Sequence, residues 1–287
     1  MKMGVIASIN IDVFYRLDRF LSVGETTNVD EYQILLGGKG CNQAVMLEAL
    51  GASPVAFGAL GDDPMEQMAR TMLEEKGLST SSILKKAGST GLALIQLIEQ
   101  DNAITVIPGN NKTITTAEVD AFFQANELTH LVLCFETNMD AVEYIIQEAK
   151  KRGIVVIVNP APMREFPLSM LDSIDYFIPN EIEAKQLFGD DLQTKVEAMK
   201  GKLVVTMGDQ GVLYYDQGVK QMPAQKIAVV DTVGAGDSFV AGFAAGIYRG
   251  YSLMQSIELG TKTAALTCQY LGAQGAFEKV KDTLQHG

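Results

Sequence analysis

Two carboxylates and a Gly-Ala-Gly turn fall within seven residues, Asp231-Thr232-Val233-Gly234-Ala235-Gly236-Asp237. An apolar run at 227–230 that reads as a strand precedes them, and a helical run over 237–249 follows. A strand, a tight turn and a helix leave backbone N–H groups unpaired at a helix N-terminus, which is an anion site. The amides of Gly234, Ala235 and Gly236 are then available to a phosphoryl charge. A carboxylate beside such a site needs a different task. Asp237, ionised at neutral pH if its pKa is near the reference value of about 3.9, can take a hydroxyl proton late in a loose phosphoryl transfer. The plainer reading is a strand–helix turn with one aspartate as its cap.

Other residues could complete such chemistry. Asn10 and Asp12 stand two apart after the first apolar run, and Gly37-Gly38-Lys39-Gly40-Cys41-Asn42 is a glycine-rich entry to a helix. Asn10, Asp12, Asn42 and Glu136 supply the donors, acceptors and fixed carboxylates that bind a neutral polyol. Alone, the first pair is an Asx turn and the second a helix entry with a solvated lysine. Asn180 and Glu183 lie three apart where a strand becomes a helix. They read as a capping box, as contacts to phosphate and hydrated Mg²⁺, or as both. The chain contains no G-x-x-x-x-G-K-[ST] and no protein-kinase H-R-D or D-F-G set.

The elements that must position these residues follow from the apolar pattern. Strands are expected at 3–9, 55–60, 83–86, 131–135, 154–158, 176–178, 203–207, 212–215 and 219–222. Helices are expected after Gly40 and at 116–125, 139–152, 181–188, 192–200, 237–249, 253–270 and 278–285, with another opened by Asp63-Pro64 and closed by Gly77. Apolar strands set between helices indicate a parallel sheet covered on both faces, with ligands beyond its carboxyl ends. Asn159, Thr206 and Gly208 also fall at such ends. Two stretches break the alternation: 11–36, read as short half-exposed strands, and a hairpin at 91–107 turning at Gln100-Asp101-Asn102. These two inserts are expected to pair into one small sheet.

Composition excludes several functions. The 287 residues are 47% hydrophobic and 20% charged, enough for a sizeable core. A net charge of −12 argues against nucleic acid or an anionic membrane as partner. Cys41, Cys134 and Cys268 have no metal-ligand spacing and suit a reducing compartment, and His130 and His286 are too few for a histidine-based site. No signal peptide and no spanning segment are expected.

The motifs Ser8-Ile9-Asn10-Ile11-Asp12, Gly37-Gly38-Lys39-Gly40-Cys41-Asn42-Gln43-Ala44, Ser89-Thr90-Gly91, Asn159-Pro160-Ala161-Pro162, Pro179-Asn180-Glu181-x-Glu183-Ala184 and 231–237, with Gly272-Ala273-Gln274 near the end, occur in this order. On them, nearly end to end, the chain resembles the ribokinase family of carbohydrate kinases. The resemblance implies an α/β fold, a ribokinase-like three-layer α/β/α sandwich with a small β-sheet lid. The core would comprise 1–10, 38–88 and 108–287, and the lid 11–37 and 89–107. It implies ATP-dependent phosphorylation of the 5-hydroxyl of D-ribose. The alternatives are 2-deoxyribose, another furanose or a nucleoside as acceptor, or a binding module without catalysis.

The same resemblance distributes roles. Asp237 would be the base, with Gly234, Ala235 and Gly236 as anion hole. Asn10, Asp12, Gly38, Lys39, Asn42, Glu136 and Asp237 would hold the sugar. Asn180, Thr206, Gly208, Gly211, Gly236 and Thr261 would contact the nucleotide. Glu183 would reach Mg²⁺ through water. Asp231, Val233, Thr267, Tyr270, Gly272 and Ala276 would surround an activating K⁺. Ala276 and Thr261 depart from the family pattern, which often has serine at the first and a larger asparagine or histidine at the second. A cytoplasmic homodimer joined through the lid is also implied.

Overall fold

The computed structural model describes residues 2–98 and 101–284. The chain begins with β1 (Met3–Ile6), buried along its whole length. It then leaves the central layer to form β2 (Asn10–Leu17) and β3 (Tyr32–Gly37). Gly38, at a φ of 93°, leads into α1 (Lys39–Ala49). Next come β4 (Val55–Leu60) and α2 (Pro64–Glu75). Asp63 caps α2 by accepting from the Met65 and Glu66 amides, and Pro64 follows where no N–H is needed. β5 (Ile83–Lys85), β6 (Gly91–Ile98) and β7 (Asp101–Ile107) complete the first half.

The second half alternates, with α3 (Thr116–Ala125), β8 (His130–Cys134), α4 (Met139–Lys151), β9 (Val155–Asn159) and β10 (Tyr176–Phe177) in succession. Then come α5 (Glu181–Phe188), α6 (Leu192–Ala198), β11 (Val205–Thr206), β12 (Val212–Tyr215) and β13 (Val219–Met222). The chain closes on α7 (Ala235–Tyr248), α8 (Leu253–Thr267) and α9 (Phe277–Leu284).

The central sheet has the order β10-β9-β8-β1-β4-β5, with every pairing parallel. Parallel bridges from Phe177 to Leu203 and from Asn180 to Thr206 bring β11, β12 and β13 alongside its β10 edge. Strand parity sorts the core into two layers. Met3, Val5, Val132 and Ile157 pack with α1, α7, α8 and α9. Ile6, Leu131, Leu133, Val156 and Val158 pack with α3, α4, α5 and α6. Side chains alternate across a strand, so both faces of these apolar runs are covered and a three-layer α/β/α sandwich results.

The two inserts form a separate sheet of order β3-β2-β6-β7. Its two antiparallel hairpins are joined by a parallel β2–β6 pair running from Asn10↔Gly91 to Leu17↔Ile98. Gln100 of the expected turn and His286 lie outside the described residues. Among the described residues no helix is long and apolar enough to cross a membrane.

Two expected strands differ. The run at 3–9 is divided. β1 ends at Ile6, and the Ile9 amide donates to the Asn111 side chain as the chain passes toward the small sheet. The run at 227–230 forms no strand. Val229 and Val230 are 60% and 63% exposed, and the Val230 N–H donates to the Cys268 carbonyl instead. β-branched residues favour extended backbone, but only an adjacent strand edge makes them part of a sheet.

Candidate active site

Asp237 sits in the first turn of α7 and is 5% exposed. Gly234 caps this helix in the left-handed region, at φ 76°, and a Cβ there would overlap Ala273. Glycine is therefore required at the turn for two independent reasons. A Cβ on Gly236 would meet open space, so that side of the turn is a cleft wall. The Ala235 amide is already engaged, donating to the Thr232 carbonyl at 3.2 Å. It is thus not a free anion-hole donor in this state, because the turn closes on its own backbone.

Both oxygens of Asp237 receive side-chain amides. Asn42 Nδ2 donates to Oδ2 at 3.0 Å and Gln43 Nε2 to Oδ1 at 3.3 Å. Burial raises the carboxyl to about 6. Lys39, Asn42 and Gln43 oppose that rise, and Glu136 adds to it. The sequence-based expectation of an ordinary carboxylate is corrected here, because spacing does not reveal that the group is desolvated. The proximity of Asp237 in turn holds Lys39 above its usual range, with smaller contributions from Glu136, Cys134 and Glu183. One cation thus faces three carboxylates.

The opposite wall is the junction of the two sheets. Asn10 and Asp12 project from one face of β2, beside Gly91 of β6 and Gly37 of β3 respectively. Asn111 Nδ2 donates to Asn10 Oδ1 at 2.8 Å, which leaves the Asn10 amide to donate elsewhere. Asp12 has a buried Oδ1 with no hydrogen-bond partner. Burial, reinforced by Glu136, raises this carboxyl to about 7. A buried oxygen without a donor is costly, and hydroxyls of a polyol would satisfy it. Glu136 accepts from the Ser8 hydroxyl at 2.6 Å and the Lys39 amide at 2.8 Å, which ties β8 to the start of α1. Gly38, also buried, lies against the Ser8 carbonyl.

At the far end, Asn180 and Glu183 form the capping box of α5. Asn180 Oδ1 accepts from the Glu183 amide, and Glu183 Oε2 accepts from the Asn180 amide, both at 2.8 Å. Burial raises the Glu183 carboxyl despite that bond and Lys39. Thr206 is joined to the Pro179 carbonyl, and Gly208 opens onto free space. Two expected nucleotide contacts have other local functions. Gly211, at φ 92°, lies so close to the Met222 carbonyl that a side chain would overlap it. The Thr261 hydroxyl donates back to Ile257 within α8.

The expected metal ligands can be tested against the donors present. No three His, Cys, Asp or Glu side chains converge among the described residues. The Glu183 carboxylate, buried at the start of α5, is the donor at hand for the ion expected there. Around the loop, Asp231 Oδ1 accepts from the Val233 amide at 3.0 Å and Oδ2 from the Gly272 amide at 2.8 Å. The carbonyls of Thr267, Gly272 and Ala276 accept from Tyr270, Gly275 and Val280 respectively. The Thr267 hydroxyl donates to Ser238 at 2.7 Å. Of the segments expected around K⁺, the Asp231–Val233 loop meets the chain at Cys268 and Gly272. A cation would share oxygens that now close turns.

Four positioning side chains received no role from the sequence: Ser8, Gln43, Asn111 and Gln274. Gln274 Nε2 donates to Asn42 Oδ1 at 2.9 Å and to the Leu36 carbonyl at 3.0 Å, which fixes which end of Asn42 meets Asp237. Ser8, Gln43 and Gln274 lie inside the motifs that carried the resemblance. Asn111 gave no signal, because its partners Ile9 and Asn10 are about a hundred residues away.

The profile of the pfkB family carbohydrate kinases matches residues 2–280. A ribokinase of Lactococcus lactis is 34% identical over 285 residues, covering 98% of this chain and 95% of that one. A deoxyribokinase of Salmonella typhi is 30% identical over 297 residues, covering 98% and 97%. The structure of Arabidopsis thaliana ribokinase complexed with ribose and ATP superimposes with a TM-score of 0.87 at 26% identity, covering 100% of this chain and 99% of that one. The family match over residues 2–280 takes in both sheets and every segment of the site, and the protein belongs to the pfkB family of carbohydrate kinases.

Proposed function

We propose that the protein is an ATP-dependent ribokinase that converts D-ribose to ribose 5-phosphate. The observation that carries this reading is the buried Asp237 carboxylate. It is held by Asn42 and Gln43 between the Gly234–Gly236 turn and the Asn10 and Asp12 wall. The ribose 5-hydroxyl attacks the γ-phosphorus of ATP and forms an O–P bond as the bond to the ADP oxygen breaks. The hydroxyl proton passes to Asp237. Asn10, Asp12, Asn42 and Glu136 hold the sugar hydroxyls, and Lys39 opposes the charge gathered on the transferred group.

Mg²⁺, approached through water by Glu183, would neutralise phosphate charge. K⁺, beside Asp231 and the 267–276 loop, would support the turn that carries the Gly234 and Gly236 amides. Asn180, Thr206 and Gly208 border the nucleotide. The small sheet acts as a lid, and its closure would keep water from the phosphoryl group. Tyr32, Ile104, Val106 and Ile107 of this sheet are 43–68% exposed and fit a homodimer contact there. A cytoplasmic location accords with ATP as substrate and with three unpaired cysteines.

A coupled ADP-release assay over ribose, 2-deoxyribose and nucleosides, with and without K⁺, tests the reading. Ribose should give the highest kcat/KM. The similarity to a deoxyribokinase favours 2-deoxyribose as second candidate, and a preference for it would displace ribose. Asp237→Asn should lower kcat by roughly 10²–10⁴-fold and preserve sugar binding. Unchanged turnover in that variant would remove Asp237 as the base.

A further inference from the structure

Gln43 is wholly buried in α1, and its side chain joins two layers of the site. Its Nε2 donates both to Asp237 Oδ1 and to Asn159 Oδ1, each at 3.3 Å. Asn159 ends β9, and its own Nδ2 donates to the Ile178 carbonyl at 2.9 Å. A backbone carbonyl only accepts, so Asn159 must present its oxygen to Gln43. Gln43 must then present its NH₂ end, because a flipped amide would set its oxygen against those of Asn159 and Asp237. The opposite end, Oε1, is left buried without a donor. That loss is costly and is accepted to keep the donor end directed at Asp237.

We propose that Gln43 is a positioning residue for phosphoryl transfer: its amide, oriented by Asn159 and the Ile178 carbonyl, holds the Asp237 carboxylate in its ionised, proton-accepting form. This rests on Asp237 being the base. Asn42 cannot substitute for it, because that side chain also borders the sugar site and answers to Gln274. The other charged and titratable groups facing Asp237 are Lys39, Cys41, Glu136 and Cys134. Lys39 and Gln43 act in the same direction on the carboxylate, and Glu136 opposes them.

The test is the pH profile of kcat/KM for ribose in Gln43→Leu, in the isosteric Gln43→Glu and in Asn159→Leu. Losing the neutral donor should move the acidic limb upward by roughly one pH unit in Gln43→Leu, and further in Gln43→Glu, where a second carboxylate shares the proton with Asp237. Turnover should fall about fivefold at the parent limb and about tenfold below it, and recover at alkaline pH, with ribose KM within about twofold. Asn159→Leu should give a smaller shift in the same direction, and combining it with Gln43→Leu should add nothing further. A packing defect would lower kcat equally at every pH, and that result overturns the proposal. If Gln43→Leu fails to fold, Gln43→Glu, of the same size, carries the test. An inactive Asp237→Asn with an unshifted Gln43 limb refutes the Gln43 inference alone. An active Asp237→Asn refutes the base assignment on which it rests.

Discussion

Asp12 and Asp237 illustrate how burial alters a carboxylate whose sequence context looks ordinary. Their carboxyls lie at about 7 and about 6, chiefly because both are desolvated. For catalysis, protonated Asp237 cannot accept a proton and protonated Asp12 is a weaker acceptor for a sugar hydroxyl, so kcat/KM for ribose should rise between about pH 6 and 7, with a slope above one on its acidic side. A limb near pH 4 in initial-rate data would contradict this. For stability the sign is opposite. Both pKa values are raised on folding, so the folded state binds more protons than the unfolded state between about pH 4 and 7. The contribution is fully present below about pH 4 and is lost as pH rises through 7. Asp12→Asn should therefore raise the melting temperature of the ligand-free protein at pH 7.5, by roughly 2–4 °C per kcal/mol gained. The gain should shrink toward pH 5. The same change should lower ribose kcat/KM about a hundredfold, since a sugar hydroxyl would lose a charged acceptor and meet an amide NH₂ in place of one carboxylate oxygen.

At the scale of elements, the turn into α7 separates a glycine that the backbone requires, Gly234, from one that it does not, Gly236. Gly234→Ala forces a left-handed backbone and an overlap with Ala273, and should cost about 2–3 kcal/mol in denaturant unfolding. Gly236→Ala places its methyl in open space, so stability should change by less than about 0.5 kcal/mol. That methyl would stand where the phosphoryl charge is received, and kcat should drop at least about tenfold. A fully active Gly236→Ala would remove Gly236 from the anion hole. The α5 capping box has a local task that can be measured apart from any ligand. Asn180→Ala should cost about 1 kcal/mol through the lost cap, measurable by chemical denaturation without nucleotide.

Across the whole molecule, the site exists only where the central sheet meets the small one. Asn10 and Asp12 come from β2, Asn42 and Gln43 from α1, and Asp237 from α7, nearly 200 residues later in the chain. Movement of the small sheet therefore alters one wall and leaves the Asp237 wall in place. If Ile104 and Val106, exposed on the edge strand β7 of that sheet, join two copies, Ile104→Lys should convert dimer to monomer in sedimentation velocity experiments. Ribose KM should rise as the lid loses its support. A monomeric parent protein would refute the lid-dimer proposal.

The sequence alone determined the fold class, nearly every element and the pairing of the two inserts. Apolar periodicity is a local signal, and the same burial that writes it into the strands also builds the sheet. It also determined the residue types at Asn10, Asn42, Asn180 and Asp237, because short motifs fix chemistry together with backbone shape. Tertiary structure decided the rest. It left 227–230 outside any sheet, closed the Ala235 amide onto Thr232, turned Thr261 into its own helix and gave Gly211 a packing task. It also raised two carboxyls and aimed Gln43 through Asn159. Desolvation, amide orientation and strand edges all depend on atoms distant in sequence, and no local pattern encodes which atoms those will be.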